Sequence, residues 1–431
     1  MAVVRVKIWN ELVGAVLWNE QKNTASFEFA SSFIEKGIDL APLTMPLSDL
    51  QRGERIFSFS NLNPHTYSGL PGLLSDSLPD AFGNQVIRSW LSTQGRQINS
   101  INPIEKLSYV GIRGMGALEF EPSTTPFGKQ TENIEVASLL SLTNKVLEER
   151  QAVSLSLTLD EEQAMKDLIR VGTSAGGQRP KAIIGFNPNT KSIKSGQFIL
   201  PKGYAYYMLK FDGVNAGGLG DPAGYGRIEM AYHLMAKDSG IDMMPCQLLE
   251  ENGRAHFMTK RFDRGVGGEK VHMQTLCAMS HYDFMLPGAY AYEDAMADMR
   301  ELGLPYHDFE QQYIRMVFNV IARNQDDHTK NIAFLLEAGG EWRLSPAYDV
   351  NWAFNPTGEW TGAHQMAIRG KRDGFSKVDL IAFAKEQSIK NAAQHIARVE
   401  EVVSQWPSYA LQTGVSQDRV GAIAKTHRLK L

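Results

Sequence analysis

A chain of 431 residues is too long for one simple core and implies two or three domains or lobes. With 43% hydrophobic and 21% charged residues it has the composition of an ordinary soluble globular protein, and a net charge of −4 gives no sign of a bulk nucleic-acid binder while leaving room for a local basic patch. Two cysteines, Cys246 and Cys277, exclude a disulfide framework and point to a reduced, cytoplasmic protein.

The N-terminus alternates like a strand, with Val4, Val6 and Ile8 on one face, and carries no signal-peptide core. No apolar run is long enough to span a bilayer. Residues 3–30 read as a β-meander. A turn is expected over Asn10-Glu11-Leu12-Val13-Gly14, followed by strands at Ala15–Trp18 and Ser26–Phe29. Ser68–Leu74 reads as a loop and helix start, and Asp80–Leu91 has apolar residues at helical spacing. Residues 121–133 are the expected linker. Helical patterns resume over 134–150 and 159–170. Strands follow at Lys181–Phe186, Gly196–Leu200 and Tyr206–Phe211, then a helix over 226–238 and a strand pair at 246–250 and 256–260. After residue 270 the pattern is mainly helical, apart from strands near 332–336 and 341–344. A mixed first part before a helical second part suits two lobes with a cleft.

The stretch Asn324-Gln325-Asp326-Asp327-His328-Thr329-Lys330-Asn331 reads as a phosphotransferase catalytic loop. Kinases place a catalytic Asp and, five positions on, an Asn that holds magnesium, a spacing met by Asp326 and Asn331. A later Asp, here Asp349, serves the metal on the nucleotide phosphates. Phosphoryl transfer needs one carboxylate to orient the attacking hydroxyl and a few oxygen ligands for a hard cation. The bland reading is a solvated turn, since Asp, Asn and Thr are common turn residues. Against it, Tyr313–Ile321 before the loop and Ile332–Leu336 after it are apolar, so the polar cluster is fixed between two core elements.

A phosphate cradle is offered by Val171-Gly172-Thr173-Ser174-Ala175-Gly176-Gly177-Gln178-Arg179-Pro180-Lys181, where glycines let backbone N–H groups approach phosphate oxygens. It is neither a Walker A loop nor a G-x-G-x-x-G, and alone it reads equally as a helix-to-strand connection. Lys210 ends an apolar strand, and Glu229 opens the next helix beside its apolar face. This is the order of a kinase's ion-pairing Lys and Glu, although a surface Lys and a dipole-complementing Glu are the ordinary readings. His328 reads as a nucleotide contact or a turn cap, and Asp327 as structural or a second metal contact.

Together these residues resemble the HipA family of bacterial toxin kinases. The resemblance covers nearly the whole chain: Ser68–Asp80, the Ser174–Lys181 loop, Met208–Lys210, Lys260-Arg261-Phe262-Asp263-Arg264, Asp326–Asn331 and Tyr348-Asp349. It implies an α+β, two-lobed, protein-kinase-like fold. The β-rich N-terminal part is expected over 1–125, the kinase N-lobe over 126–265, and the mainly helical C-lobe over 266–431. It implies an ATP- and Mg²⁺-dependent serine/threonine protein kinase. By match, Asp326 is the catalytic base, and Asn331 and Asp349 hold magnesium. Gly176, Gly177, Lys181 and Lys210 face the ATP phosphates, Lys260 and Phe262 lie in the adenine hinge, and His328 and Lys330 lie against the nucleotide. Ser174 matches the serine that the family autophosphorylates, and a phosphate there would compete with ATP. Implied partners are a protein substrate such as an aminoacyl-tRNA synthetase and a small helix-turn-helix antitoxin. DNA is met only through that antitoxin, and no membrane is involved.

Departures are Lys260 where the family has Glu, Asp327 where it has Gly, and an altered Ser174–Lys181 loop; these bear on substrate and regulation more than on chemistry. Three other readings stand beside it: a small-molecule or lipid kinase, a non-catalytic co-repressor of kinase-like fold, and a metal-dependent phosphoesterase, which would need a further His cluster.

Overall fold

The computed structural model describes residues 3–97, 101–123, 134–148, 168, 180–215, 218–219 and 224–431. The chain divides into two units: Met1–Ala223 with Leu249–Met273 and Glu337–Gly339, and Gly224–Leu248 with Gln274–Leu336 and Gly340–Leu431.

The first unit begins with the expected meander, β1 (Val3–Ile8), β2 (Glu11–Asn19) and β3 (Thr24–Phe29), followed by β4 (Ile56–Phe57). Val4, Val6 and Ile8 are buried, as alternation requires. The first turn is tighter than the sequence reading: Trp9 and Asn10 alone close it, with φ of 48° and 67°, the left-handed pair that matches strand twist. Gly14 therefore lies inside β2, where a Cβ would collide with the Glu28 carbonyl of β3. Glu121, assigned to the linker, instead ends β5 (Leu118–Glu121), which pairs with β1 and gives the sheet order β4–β3–β2–β1–β5. Helix α1 (Ala81–Thr93) starts where Asp80 accepts a 2.7 Å bond from the Gly83 N–H. Helix α2 (Pro103–Val110) opens on a capping box of Asn102 and Glu105, and α3 (Val136–Glu148) follows.

The second sheet contains β6 (Lys181–Phe186), β7 (Ile193–Ser195), β8 (Ala205–Lys210), β11 (Cys246–Glu251) and β12 (Arg254–Lys260), in the order β11–β12–β8–β6–β7. A short pair, β9 (Val214–Asn215) and β10 (Gly218–Leu219), lies outside it. The strand expected at Gly196–Leu200 falls instead at Ile193–Ser195. Gly196 approaches the Ile184 backbone too closely for any Cβ, and the chain then turns away.

The Arg261–Arg264 motif is a clamp inside this first unit. Asp263 is fully buried and accepts from Arg261 Nε (2.8 Å) and Nη2 (2.6 Å), Arg264 Nη1 (3.0 Å) and the Gly116 N–H (2.7 Å). Arg264 donates onward to the Gly114 and Gly116 carbonyls at 2.9 and 2.8 Å. Burial pushes the Asp263 carboxyl up, but the two guanidinium groups and the hydrogen bonds outweigh it and hold it well below the usual carboxylate range. Lys270 extends the clamp to the Ile112 carbonyl (2.7 Å) and Glu119 (2.8 Å), while Trp9 Nε1 donates to the Lys270 carbonyl at 2.8 Å. The N-terminal sheet is thus bolted to the segment that follows Lys260.

The second unit is mainly helical. It holds α4 (Tyr225–Asp238), α5 (Leu276–Ser280, after β13, His272–Thr275), α6 (Tyr292–Glu301) and α7 (Tyr306–Ala322). The hairpin β14 (Ala333–Leu336) and β15 (Trp342–Leu344) follows, then α8 (Lys377–Glu386), α9 (Ala392–Ser404), α10 (Trp406–Gln412) and α11 (Gln417–Ala424). Cys246 and Cys277 are both free. Among the described residues no helix is long and apolar enough to cross a membrane.

Candidate active site

The loop of interest begins where α7 ends. Arg323 takes a left-handed conformation (φ 59°), and Asn324 then runs extended beside Ala353, with the Gln325 N–H on the Ala353 carbonyl at 3.0 Å. The two neighbouring aspartates have opposite environments. The Asp326 side chain is 52% exposed. Asp327 is buried and accepts from Tyr292 Oη (2.8 Å) and the Gln365 N–H (2.7 Å), with His364 Nδ1 at 2.7 Å. Burial raises the Asp327 carboxyl, but His364 and these hydrogen bonds more than offset it and hold it below the ordinary value. Asp327 is therefore an anchor of the loop, which supports the structural reading over a second metal contact.

Beyond it, Thr329–Asn331 forms one turn of 3₁₀ helix. Thr329 Oγ1 donates to the Tyr282 carbonyl at 2.8 Å, and Tyr348 Oη donates to the Lys330 carbonyl at 2.6 Å. Asn331 Nδ2 donates to the Asp326 carbonyl at 2.6 Å, so the amide is oriented with Oδ1 left for another partner. Phe284 supports the loop from the side: the His328 ring lies 5.4 Å from its centroid and Lys330 Nζ lies 4.5 Å above it. His328 Nε2 is 3.8 Å from Asp326 Oδ1.

The hairpin β14–β15 returns the chain to this loop. Arg315 Nη2, from α7, holds the Ser345 carbonyl at 2.7 Å, and the Ala347 N–H bonds the Asp242 carbonyl at 2.8 Å. Asp349 then sits at φ 53°, a left-handed position that Asp tolerates better than most residues and that is common at functional sites. Asn331 and Asp349 line one cavity of about 30 Å³, together with Asp327, His328 and Tyr348. Two oxygen donors on one cavity suit a hard cation that takes its other ligands from phosphate and water. Among the described residues no group of three or more His, Cys, Asp or Glu side chains comes together to hold a metal by itself.

Lys181, Lys210, Lys260 and Phe262 lie in the first unit. Lys181 and Lys210 face each other directly across β6 and β8. Lys181 is buried, and Lys210 Nζ lies 5.7 Å from the Phe257 ring centroid. Lys260 ends β12 opposite Tyr207, and Phe262 is half-buried within the clamp motif. Glu229 is buried on α4 of the second unit. Ser174, Gly176 and Gly177 lie outside the described residues. Sequence reasoning missed Tyr292, Asn319, His364 and Gln365, which build the network under the loop. Asn319 alone left a signal, as a polar residue inside the apolar run of α7.

A strand-rich first unit carrying paired lysines and a helical second unit carrying the Asp326–Asn331 loop make up a kinase-like fold. The chain belongs to the HipA family: the HipA N-terminal domain matches residues 4–121 and the HipA-like C-terminal domain residues 173–406. The Shewanella oneidensis structure described as a toxin–antitoxin system of HipA, HipB and operator DNA matches with a TM-score of 0.65 and 15% identity, over 98% of this chain and 94% of that chain. Helicobacter pylori proinflammatory kinase CtkA matches at a TM-score of 0.36 and 10% identity, over 59% of this chain and 90% of that one. The curated protein "Putative kinase Y4mE" of Sinorhizobium fredii is 23% identical over 223 residues, 46% of this chain and 52% of that protein. The chain therefore spans about half the length of that curated relative.

Proposed function

We propose that this chain is an ATP- and Mg²⁺-dependent serine/threonine protein kinase that acts as the toxin of a bacterial toxin–antitoxin pair. The observation that carries the reading is the gathering of Asn331 and Asp349 on one cavity, with Asn331 hydrogen-bonded to the carbonyl of half-exposed Asp326. Asp326 accepts the proton of the attacking hydroxyl and orients it. Asn331 Oδ1 and the Asp349 carboxylate hold magnesium, which neutralises the nucleotide phosphates when bound. Lys181 and Lys210 support a phosphate site because they stand opposite each other on neighbouring strands, which gathers two cationic side chains on one stretch of the sheet. In this reading Ser174, Gly176 and Gly177 are further phosphate-binding residues, Lys260 and Phe262 base-binding residues, and His328 and Lys330 nucleotide-binding residues.

The substrate in this reading is a translation-related protein such as an aminoacyl-tRNA synthetase, with autophosphorylation at Ser174. A small DNA-binding antitoxin is the partner, by analogy with the HipB and operator DNA named in the Shewanella complex. A cytoplasmic location goes with such partners.

The test is intact and peptide mass spectrometry after incubation with Mg²⁺-ATP, comparing the wild type with Asp326→Ala. Phosphate on Ser174 or on an added protein, in the wild type only, is the expected result. Equal phosphorylation of both would remove Asp326 from its role. Label confined to small molecules in a lysate would turn the reading to a small-molecule kinase. No phosphate, with no ATP binding by calorimetry, would leave a kinase-like binder.

A further inference from the structure

Helix α7 buries Tyr313, Ile314, Met316, Val317, Phe318, Val320 and Ile321, yet Asp308, Gln312, Arg315 and Asn319 recur along it at steps of four, three and four. That spacing puts four polar side chains on one stripe of an otherwise apolar helix. The ends of the stripe are well paired. Asp308 accepts from Arg343 Nε (3.0 Å) and Nη2 (3.1 Å) and from the Leu344 N–H (2.9 Å). Asn319 accepts from Asn324 Nδ2 (2.9 Å) and donates to Tyr292 Oη (3.1 Å). The stripe thus touches both the strand that leads to Asp349 and the loop that carries Asp326.

Its middle is different. Gln312 Oε1, Arg315 Nε, Asn324 Oδ1 and His328 Nδ1 are buried and have no hydrogen-bond partner among the described residues. Gln312 is 1% exposed, Asn324 5% and Arg315 8%. Leaving such an atom buried and unsatisfied destabilises the fold. All four residues line the cavity of about 30 Å³ that Asn331 and Asp349 also line. A buried water needs roughly 10–15 Å³ measured in this way and two to four polar partners. The cavity has that room, and the residues that carry two acceptors, one donor and an imidazole nitrogen line it.

We propose that this cavity is a site for one or two structural waters, and that Gln312 and Arg315 are positioning residues that act through them on Asn331 and Asp349. The second half rests on the reading of Asn331 and Asp349 as magnesium ligands; the first half does not. The waters tie the middle of α7 to the catalytic loop, beside the direct Asn324–Asn319 side-chain bond at its end, while Arg315 Nη2 holds the metal-side segment at Ser345. Partners that orient metal ligands from behind typically change metal affinity or activity roughly ten- to a hundred-fold when removed.

The experiment has two arms. A high-resolution crystal structure of the full chain is expected to show ordered water within hydrogen-bond distance of Gln312 Oε1 and Arg315 Nε. A dry cavity would overturn the proposal whatever the enzyme does. Gln312→Leu, which removes the acceptor, is expected to raise the Mg²⁺ concentration at half-maximal transfer roughly tenfold while the KM for ATP at saturating Mg²⁺ and the Tm stay near wild type. Gln312→Glu, which keeps an acceptor, restores most of the loss. An unchanged Mg²⁺ requirement in Gln312→Leu would overturn the positioning role. If Gln312→Leu does not fold, Arg315→Lys serves as the second variant with the same readout. A wild type without any transfer would defeat the kinase reading and the positioning role with it, and the crystallographic arm would still decide the water site.

Discussion

Asp327 Oδ2 and His364 Nδ1 lie 2.7 Å apart, each side chain at most 1% exposed, with the Tyr292 hydroxyl and the Gln365 N–H closing the carboxylate's other positions. The pair joins the Asp326–Asn331 loop to a segment 37 residues further on. Asp327→Ala leaves three buried groups without their acceptor. A loss of about 3–5 kcal/mol is expected, the usual result of removing one partner of a buried pair. Urea unfolding checks it, and a midpoint equal to wild type would show that the network is dispensable.

Asp326 should behave in the opposite way. Its side chain is half exposed, so Asp326→Ala is expected to leave the Tm within about 1 °C while phosphoryl transfer falls roughly 10²- to 10⁴-fold, the usual contribution of a positioned acid or base. Transfer at the wild-type rate would assign the chemistry to another group.

Asp349→Asn separates metal binding from backbone geometry. Asn tolerates the left-handed conformation as well as Asp does, so the φ of 53° is retained while the charge is lost. The expected outcome is a wild-type circular dichroism spectrum with a sharply raised Mg²⁺ requirement for transfer. An unaltered Mg²⁺ titration would exclude Asp349 as a ligand.

The Asp263 clamp predicts that the N-terminal sheet and the segment after Lys260 unfold together. Asp263→Ala strands the buried Arg261 and Arg264 guanidinium groups, at a cost of about 3–5 kcal/mol. Hydrogen exchange should then rise in both the Gly114–Glu119 region and residues 261–270. Loosening of only one would show that the clamp does not couple them.

Acid pH should weaken the fold before Asp263 of the clamp titrates. Burial holds His233, His256, His281 and His427 down to about 4 and His272 down to about 3, against 6.5 for an ordinary imidazole. Between those values the unfolded chain binds more protons than the folded one, so stability rises with pH across that window. It is complete above about pH 6.5 and lost progressively as pH falls toward 4. A urea midpoint that stays flat over this range would show that these rings are not buried neutral in solution.

The sequence by itself determined the elements whose signal is local. Alternation at Val4, Val6 and Ile8 gave β1, helical spacing around Ala81–Leu91 gave α1, and a polar cluster between two apolar runs located Asp326 and Asn331. These patterns are periodic and short-range, so a single chain displays them. Tertiary structure alone decided where distant segments meet. The strand expected at Gly196–Leu200 lies at Ile193–Ser195, because these are the residues that pair with Ile184, Gly185 and Phe186 of β6. Asp326 and Asp327 are chemically identical neighbours in sequence. Only the approach of Tyr292, His364 and Gln365 makes the second a buried anchor and leaves the first half in solvent. Burial and hydrogen-bond partners are properties of three-dimensional neighbours, and those neighbours come from 35 to 38 positions away along the chain.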